Sequence, residues 1–334
     1  MLRCAARKAS SRCSVDALHA ALRSTSLGLC WARNCTTFSR TPMATERARL
    51  PHEERTAAEP RADAIHDVIL DQVEDVNDSI KLFKLKIKDS RNGVEFSAGQ
   101  WLDVFVPGLS KAGGFTLTST PRQALPPTPF LELAVQKSPE NPPAAWLWQK
   151  TSSILGSELK VRVGGSFTWP PFGWSRDRIE GIKKVIFVAG GVGINPLISM
   201  LAHMHDTSSA LPEIHFLYST KPPLTEKQNI DPGKILFLSR LTEMAGQHPD
   251  RLDLTLFLTC REYKKIKDPQ TLGWFHDRRI EETDLRHALG ENVSERSGTV
   301  VYVCGPPKMT DEIVAWFGKQ DGLSDERIFC EKWW

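Results

Sequence analysis

The sequence predicts two domains, a small antiparallel β-barrel or sandwich followed by a parallel sheet covered by helices. Three observations predict them. Six short β-like runs, broken by Pro and Gly, fill residues 63–175. From residue 182 onward strands alternate with helices, which is the pattern of a parallel sheet with helices on both faces. At the first strand-to-helix junction stands Gly190-Gly191-Val192-Gly193-Ile194-Asn195-Pro196, where missing Cβ atoms let the backbone approach something bulky.

The chain begins with a segment of different texture. Residues 1–40 carry Arg3, Arg7, Lys8, Arg12, Arg23, Arg33 and Arg40 against the single acid Asp16. Ser and Thr are abundant there, and Val15–Leu22 can form a short amphipathic helix. That is the composition of a mitochondrial transit peptide, whereas a secretory signal would need an apolar run that is missing. A mitochondrial location is the expectation. Residues 41–62 are polar, charged and Pro-containing, and read as a linker.

The barrel runs are His66–Val76, Ile80–Lys88, Trp101–Val106, Phe115–Ser119, Phe130–Gln136 and Glu158–Val163. Arg91-Asn92-Gly93 supplies a turn after the second. A helix over roughly Pro143–Lys150 interrupts the series, and its Trp146 and Trp148 suit packing better than chemistry. In the second domain, residues 182–334, the strands are Val185–Ala189, Glu213–Tyr218, Leu252–Leu258, Thr299–Val303 and a short Arg327–Cys330. Helices are expected at Pro196–His205, Lys234–Ala245, Thr283–Leu289 and Lys308–Lys319.

Composition narrows the class. The net charge of +3 over 334 residues shows no basic stripe or zinc-finger spacing of the kind that reads nucleic acid. No apolar run approaches the roughly 18–20 residues of a membrane span. Cys4, Cys13, Cys30 and Cys35 lie in the leader, while Cys260, Cys304 and Cys330 are far apart. They form neither a disulfide framework nor an iron–sulfur ligand run, so a reducing compartment fits.

Two turns carry the chemistry. Val185–Ala189 is an uninterrupted apolar strand, buried on both faces, and the glycine turn behind it opens a helix whose N–H groups and dipole favour a phosphate. Val303-Cys304-Gly305-Pro306-Pro307-Lys308-Met309 is a second glycine turn between a buried strand and a helix. Two such turns at strand ends of one parallel sheet line the same crevice. Either alone is also an ordinary tight strand-to-helix turn.

A barrel, then GGVGINP, then CGPPKM resembles the ferredoxin–NADP reductase superfamily, over about residues 62–334. The resemblance implies a six-stranded antiparallel flavin-type barrel followed by a Rossmann-like nicotinamide-binding domain. It implies that Gly190, Gly191, Val192, Gly193, Ile194 and Asn195 hold the pyrophosphate of NAD(P)H. By the same token Cys304, Gly305 and Pro306 lie beside the nicotinamide ring. Ser219 and Lys221 stand where the adenosine ribose is read; no acid appears there until Glu226, so a 2′-phosphate is tolerated and both NADH and NADPH stay open.

The flavin half departs from the family's pattern. The family's Arg-x-Tyr-Ser/Thr is here Gly113-Gly114-Phe115-Thr116. Gly113 removes a charge-assisted phosphate contact worth about 1.5–3 kcal/mol, Phe115 keeps a flat ring for the flavin, and Thr116 keeps a hydroxyl for its N5 edge. Pro142 and Pro143 delete two backbone donors at the second flavin signature, and Lys111, Arg122 or Lys137 are the cations that could substitute. The resemblance also gives Trp333 or Trp334 a stacking role on the flavin, and Glu331 that of a carboxylate near the redox centre.

The expected activity is NAD(P)H-dependent flavin reduction with FAD bound, Thr116, Cys304 and Glu331 nearest the chemistry, and electrons passed to an external acceptor, a protein among the candidates. The alternative is a nicotinamide-binding module that senses redox state or scaffolds a partner without turnover. A plain Rossmann dehydrogenase would leave the barrel half unexplained.

Overall fold

The computed structural model describes residues 51–332 apart from 209, 225–228, 260–264 and 267–274. The expected leader at 1–40, the first part of the expected linker, Trp333 and Trp334 all lie outside the described residues. The unit that begins at Arg40 contains both predicted domains.

The barrel strands are β1 His66–Asn77, β2 Ile80–Ile87, β3 Trp101–Phe105, β4 Gly113–Thr116, β5 Phe130–Gln136 and β6 Glu158–Gly164. They pair antiparallel in the order β4-β3-β6-β1-β2-β5. A bridge between Leu117 and Leu133, with the Thr118 N–H donating to the Glu132 carbonyl at 2.9 Å, brings the two outer strands together and closes the barrel. Closure removes the exposed edges that an open sheet would have to protect. Alternation puts Val68, Leu70, Phe83, Leu85, Leu102, Val104, Leu131, Leu133, Val161 and Val163 inside.

Helix α1 (His52–Arg55) precedes the barrel, and two short helices follow β5, α2 (Pro142–Leu147) and α3 (Thr151–Ile154). The helix expected at Pro143–Lys150 is thus α2, which ends at Leu147, and α3 is a separate turn beyond it. Ala144, Leu147 and Ile154 plug the barrel core, and Trp146 and Trp148 pack against it as anticipated.

The second sheet holds β7 Lys184–Gly190, β8 Glu213–Thr220, β10 Leu252–Leu258, β12 Phe275–His276, β13 Thr299–Gly305 and β14 Ile328–Lys332. The two-residue strands β9 (Asn229–Ile230) and β11 (Lys265–Ile266) pair with each other apart from it. All its pairings are parallel, in the order β12-β10-β8-β7-β13-β14. After the short connecting helix α4 (Arg176–Glu180), helices α5 (Ile194–Thr207) and α6 (Leu238–Gln247) cover one face. Helices α7 (Glu282–Leu289) and α8 (Pro307–Phe317) cover the other. The chain winds outward from β7 through β8 to β10, then returns to place β13 on the opposite side of β7. The switch point therefore lies between β7 and β13, where such sheets bind ligands.

The described part of the expected linker, residues 51–62, is a packed strap. His52 is buried, its ring set edge-on to Trp101 with centroids 4.6 Å apart. The strap's backbone also joins the sheet end, with Ala62 N–H donating to Val163 and Gly165 N–H to Pro60, both at 2.9 Å. Its electrostatic anchor is Asp103, a wholly buried carboxylate on β3. Arg61 Nε lies 3.0 Å from it, Arg162 donates at 2.9 and 2.7 Å, and His52 Nε2 is 3.2 Å away. A buried carboxylate survives because it is paired, and composition could not reveal that partnership.

Burial pushes the Asp103 carboxyl up, but its bonds to His52, Arg162 and Arg61 outweigh this and bring its pKa down to about 2. A depressed carboxylate stabilises the fold at any pH above its unfolded value of about 3.9, and that contribution disappears as pH falls toward the folded value. Asp103→Asn should therefore cost about 3 kcal/mol in neutral denaturant unfolding by leaving Arg61 and Arg162 uncompensated. The variant should also lose much of the wild-type decline in stability between about pH 4 and pH 2. Parallel acid limbs in the two proteins would remove Asp103 as the anchor.

Candidate functional site

The site is built from the carboxyl ends of β7, β8 and β13. Gly190 ends β7, Gly191–Gly193 makes one tight 3-10 turn, and α5 follows at Ile194 without a break. The helix thus starts two residues before the expected Pro196. Gly191 has φ +54°, a left-handed conformation in which glycine alone is unstrained, and open space lies where its side chain would be.

The other three glycines are fixed by contact. A Cβ on Gly190 would lie 2.7 Å from Pro306 Cδ and 2.8 Å from the Met309 sulfur. On Gly305 it would lie 3.0 Å from Gly190 Cα, and on Gly193 it would collide with the Cys304 carbonyl oxygen. The two turns anticipated from sequence therefore touch backbone to backbone, with one open face at Gly191. No side chain caps the turn or α5, and no acid stands in the first turn, so the positive end of the helix dipole is uncompensated there.

Ser219 pairs in register with Gly190 at the end of β8 and is nearly buried, while Lys221 just beyond is exposed. Val192 and Pro306 reach the surface beside the turn. Cys304 is wholly buried, with Ala189 and Glu331 as its register partners. Its side chain belongs to the core of the sheet, beneath the second turn. Glu331 is half-buried on β14.

Asn195 plays a part that the sequence did not disclose. Its Nδ2 donates to the Ala134 carbonyl of β5 at 2.9 Å, fastening the turn to the barrel. Its Oδ1 is buried and accepts no hydrogen bond. A buried acceptor left unpaired costs about 1–3 kcal/mol, which a ligand hydroxyl or amide N–H would recover and a phosphate oxygen would not. Farther along α5, Ser199 Oγ donates to Ser119 O at 2.7 Å. Arg240 of α6 grips Glu132 of β5 with two bonds of 2.7 Å, and Glu132 also accepts from Thr118 Oγ1 at 2.8 Å. These long-range pairs hold the barrel beside the crevice.

The barrel's own candidates sit differently. Phe115 and Thr116 are both buried on β4, and Phe115 is part of the barrel core. A Cβ on Gly113 would lie 2.6 Å from Pro143 Cβ and 2.6 Å from the Phe115 ring, so the place of the family's arginine is filled. The His52 ring of the strap occupies the space a side chain on Gly114 would need. Of the three possible substitute cations, Lys111 is 3.3 Å from Glu54, Lys137 lies 5.6 Å over the Trp148 ring, and Arg122 is exposed. The residues present do not fit a flavin held by its phosphates in the family's manner.

Elsewhere, a cavity of about 300 Å³ under α7 is lined by His215, Asp253, His276, Asp284 and His287. His215 and Asp253 place it toward the amino ends of β8 and β10, away from the glycine turns.

Comparison with known proteins bears on the family and the fold. Residues 187–314 match the family model described as oxidoreductase NAD-binding domain. A human protein, oxidoreductase NAD-binding domain-containing protein 1 of Homo sapiens, is 31% identical over 335 residues, covering 97% of this chain and 96% of the relative. The reductase component of propane 2-monooxygenase from Gordonia sp. (strain TY-5) is 25% identical over 298 residues, covering 89% of this chain and 75% of the relative. Among solved structures, the CS-b5R domains of human Ncb5or in the NAD+ form share the fold with a TM-score of 0.60 at 18% identity, over 80% of this chain and 69% of that one.

The contacts distinguish the glycines energetically. Gly193→Ala drives a methyl group into the Cys304 carbonyl and should cost about 2 kcal/mol or more. Gly191→Ala meets no atom and should cost only the left-handed strain, about 1 kcal/mol. Denaturant unfolding of the two variants checks this order, and equal losses would contradict the packing described.

Proposed function

The chain belongs to the oxidoreductase NAD-binding domain-containing protein 1 family, and from that membership we propose that it is an NAD(P)H-dependent oxidoreductase of the ferredoxin-reductase type, handing reducing equivalents to an external acceptor. The observation that carries the reading is the pair of glycine turns at the switch point, pressed together at Gly190, Gly193 and Gly305 and open at Gly191.

Each group has a physical task. The turn Gly190–Ile194 and the uncapped start of α5 bind the pyrophosphate. Ser219 and the exposed Lys221 meet the adenosine ribose, and Lys221 accommodates a 2′-phosphate by charge. The turn at Gly305 and Pro306 supports the nicotinamide end, with Cys304 beneath it keeping water out from below. The orphaned Asn195 Oδ1 accepts from a hydroxyl or carboxamide donor of the same ligand. When bound, the reduced nicotinamide supplies a hydride; the chain supplies alignment and dryness. An external acceptor is favoured by the Gordonia relative, whose name makes it the reductase component of a larger system.

A second reading, a nicotinamide-binding module without turnover, is favoured by the filled space at Gly113. Titration separates the two. NADH or NADPH should bind the purified chain and reduce a dye acceptor; binding with no dye reduction selects the module. Gly191→Val should weaken nicotinamide binding by more than about tenfold, because its side chain takes up the one open face of the turn. Unchanged affinity in a variant with native circular dichroism would refute the site.

The basic, acid-poor stretch 1–40 supports delivery to mitochondria. A fluorescent protein carrying residues 1–40 should localise there, and a diffuse signal would dismiss the reading.

A further inference from the structure

We infer that this chain carries no resident flavin dinucleotide, because Pro143 and Phe115 already fill the space in which a phosphate-gripping side chain would stand. The inference concerns the barrel half of the proposed reductase and is read out separately from nicotinamide binding.

Three independent features of the barrel converge on it. Gly113 is glycine by steric necessity: Pro143 Cβ, a rigid ring atom, is 2.6 Å from where a Cβ would lie, and the Phe115 ring is equally close. A missing charge could be replaced from a neighbouring loop, whereas missing room could not. Next, α2 offers no phosphate cradle. It is six residues long and opens on Pro142-Pro143, with no N–H at either position, and Asn141 at its cap makes no side-chain bond. Finally, Phe115 is 8% exposed and packs within the same core cluster as Ala144 and Leu147, so its face is spent on the barrel interior.

The strap strengthens the case on the adjoining residue. Its His52 ring lies on Gly114, and its Glu54 holds Lys111, a candidate cation from the β3–β4 loop. The consecutive glycines at 113 and 114 thus admit α2 and α1, one each. What appears in the sequence as loss of a flavin motif is, in the structure, a repacked wall. The acceptor of reducing equivalents must then be brought to the crevice by another molecule.

The test uses the purified full chain. Flavin released by acid should amount to far less than one per chain, and FAD or FMN fluorescence should show no saturable quenching up to about 100 µM protein. NADH, followed by its own fluorescence, should still saturate. Flavin co-purifying at about one per chain, or FAD binding that saturates in the low micromolar range, would overturn the inference. A chain that binds neither nucleotide would support the inference and refute the nicotinamide site instead. The steric premise has its own check: Gly113→Ala should lower the thermal midpoint by about 5 °C, and Pro143→Gly in that background should recover part of the loss. A Gly113→Ala variant as stable as the parent would show that the space is open and overturn the inference.

Discussion

The contact on which the structure turns is between two pieces of main chain. Gly190 at the end of β7 and Gly305 at the end of β13 lie so close that neither tolerates a side chain, and Gly193 sits on the Cys304 carbonyl. Parallel neighbours ending level with each other would normally diverge into separate loops. Here the pairing of Ala189 with Cys304 carries both strands into the same crevice, and removal of four Cβ atoms lets both helices, α5 and α8, begin there. Three of these glycines answer to the neighbouring turn, and Gly191 answers to its own left-handed backbone. The geometry of the proposed anion site is therefore a by-product of packing two crossovers against one strand, which is why it is rigid without a charged side chain in the turn.

The barrel depends on the same helix. The first turn of α5 gives Asn195 to Ala134 and its second gives Ser199 to Ser119, both buried bonds. The apolar core beneath α5 and α6 takes in Ala98, Ala134 and Phe167, with Val76, Ile80 and Leu82 packed against it from the barrel. Tyr302 of β13 closes the seam by donating to Thr168 O at 2.9 Å. A displacement of the barrel would pull directly on Asn195, at the end of the glycine turn. Domain position and ligand geometry are coupled through that one amide.

What could be read in advance was whatever is encoded at short range. Alternation through Leu82, Lys84, Leu85 and Ile87 places β2 to within a residue, and the unbroken run from Val185 to Ala189 locates the central strand of the sheet. Both glycine turns were legible for the same reason: strand, glycine and helix are contiguous. The strap was not. Arg61 and Asp103 are 42 residues apart, and a lone arginine in a polar stretch carries no sign of a buried partner. Asn195 was legible as part of the turn but not as a clasp on Ala134, which lies 61 residues earlier. The burial of Cys304 follows from the apolar character of β13 on both faces, a signal present in Val300–Val303.

The barrel, with Pro143 packed on Gly113 and His52 on Gly114, is held in shape by more than any ligand of its own. Its packing against the second domain does that. Residues of β1, β2 and β5, with Ala98 and Phe167, supply one wall of the nucleotide domain's core, and Met200 of α5 packs its methyl group against Gly99 at the β3 entrance. Without that wall the wholly buried Met200 would face water, at roughly 1.5–3 kcal/mol for a large apolar side chain exposed. Selection for a stable glycine turn is then selection for a barrel, whatever the barrel binds. The two halves of the fold are held together by a shared core, and the chemistry of one half is free to change so long as its surface toward the other does not.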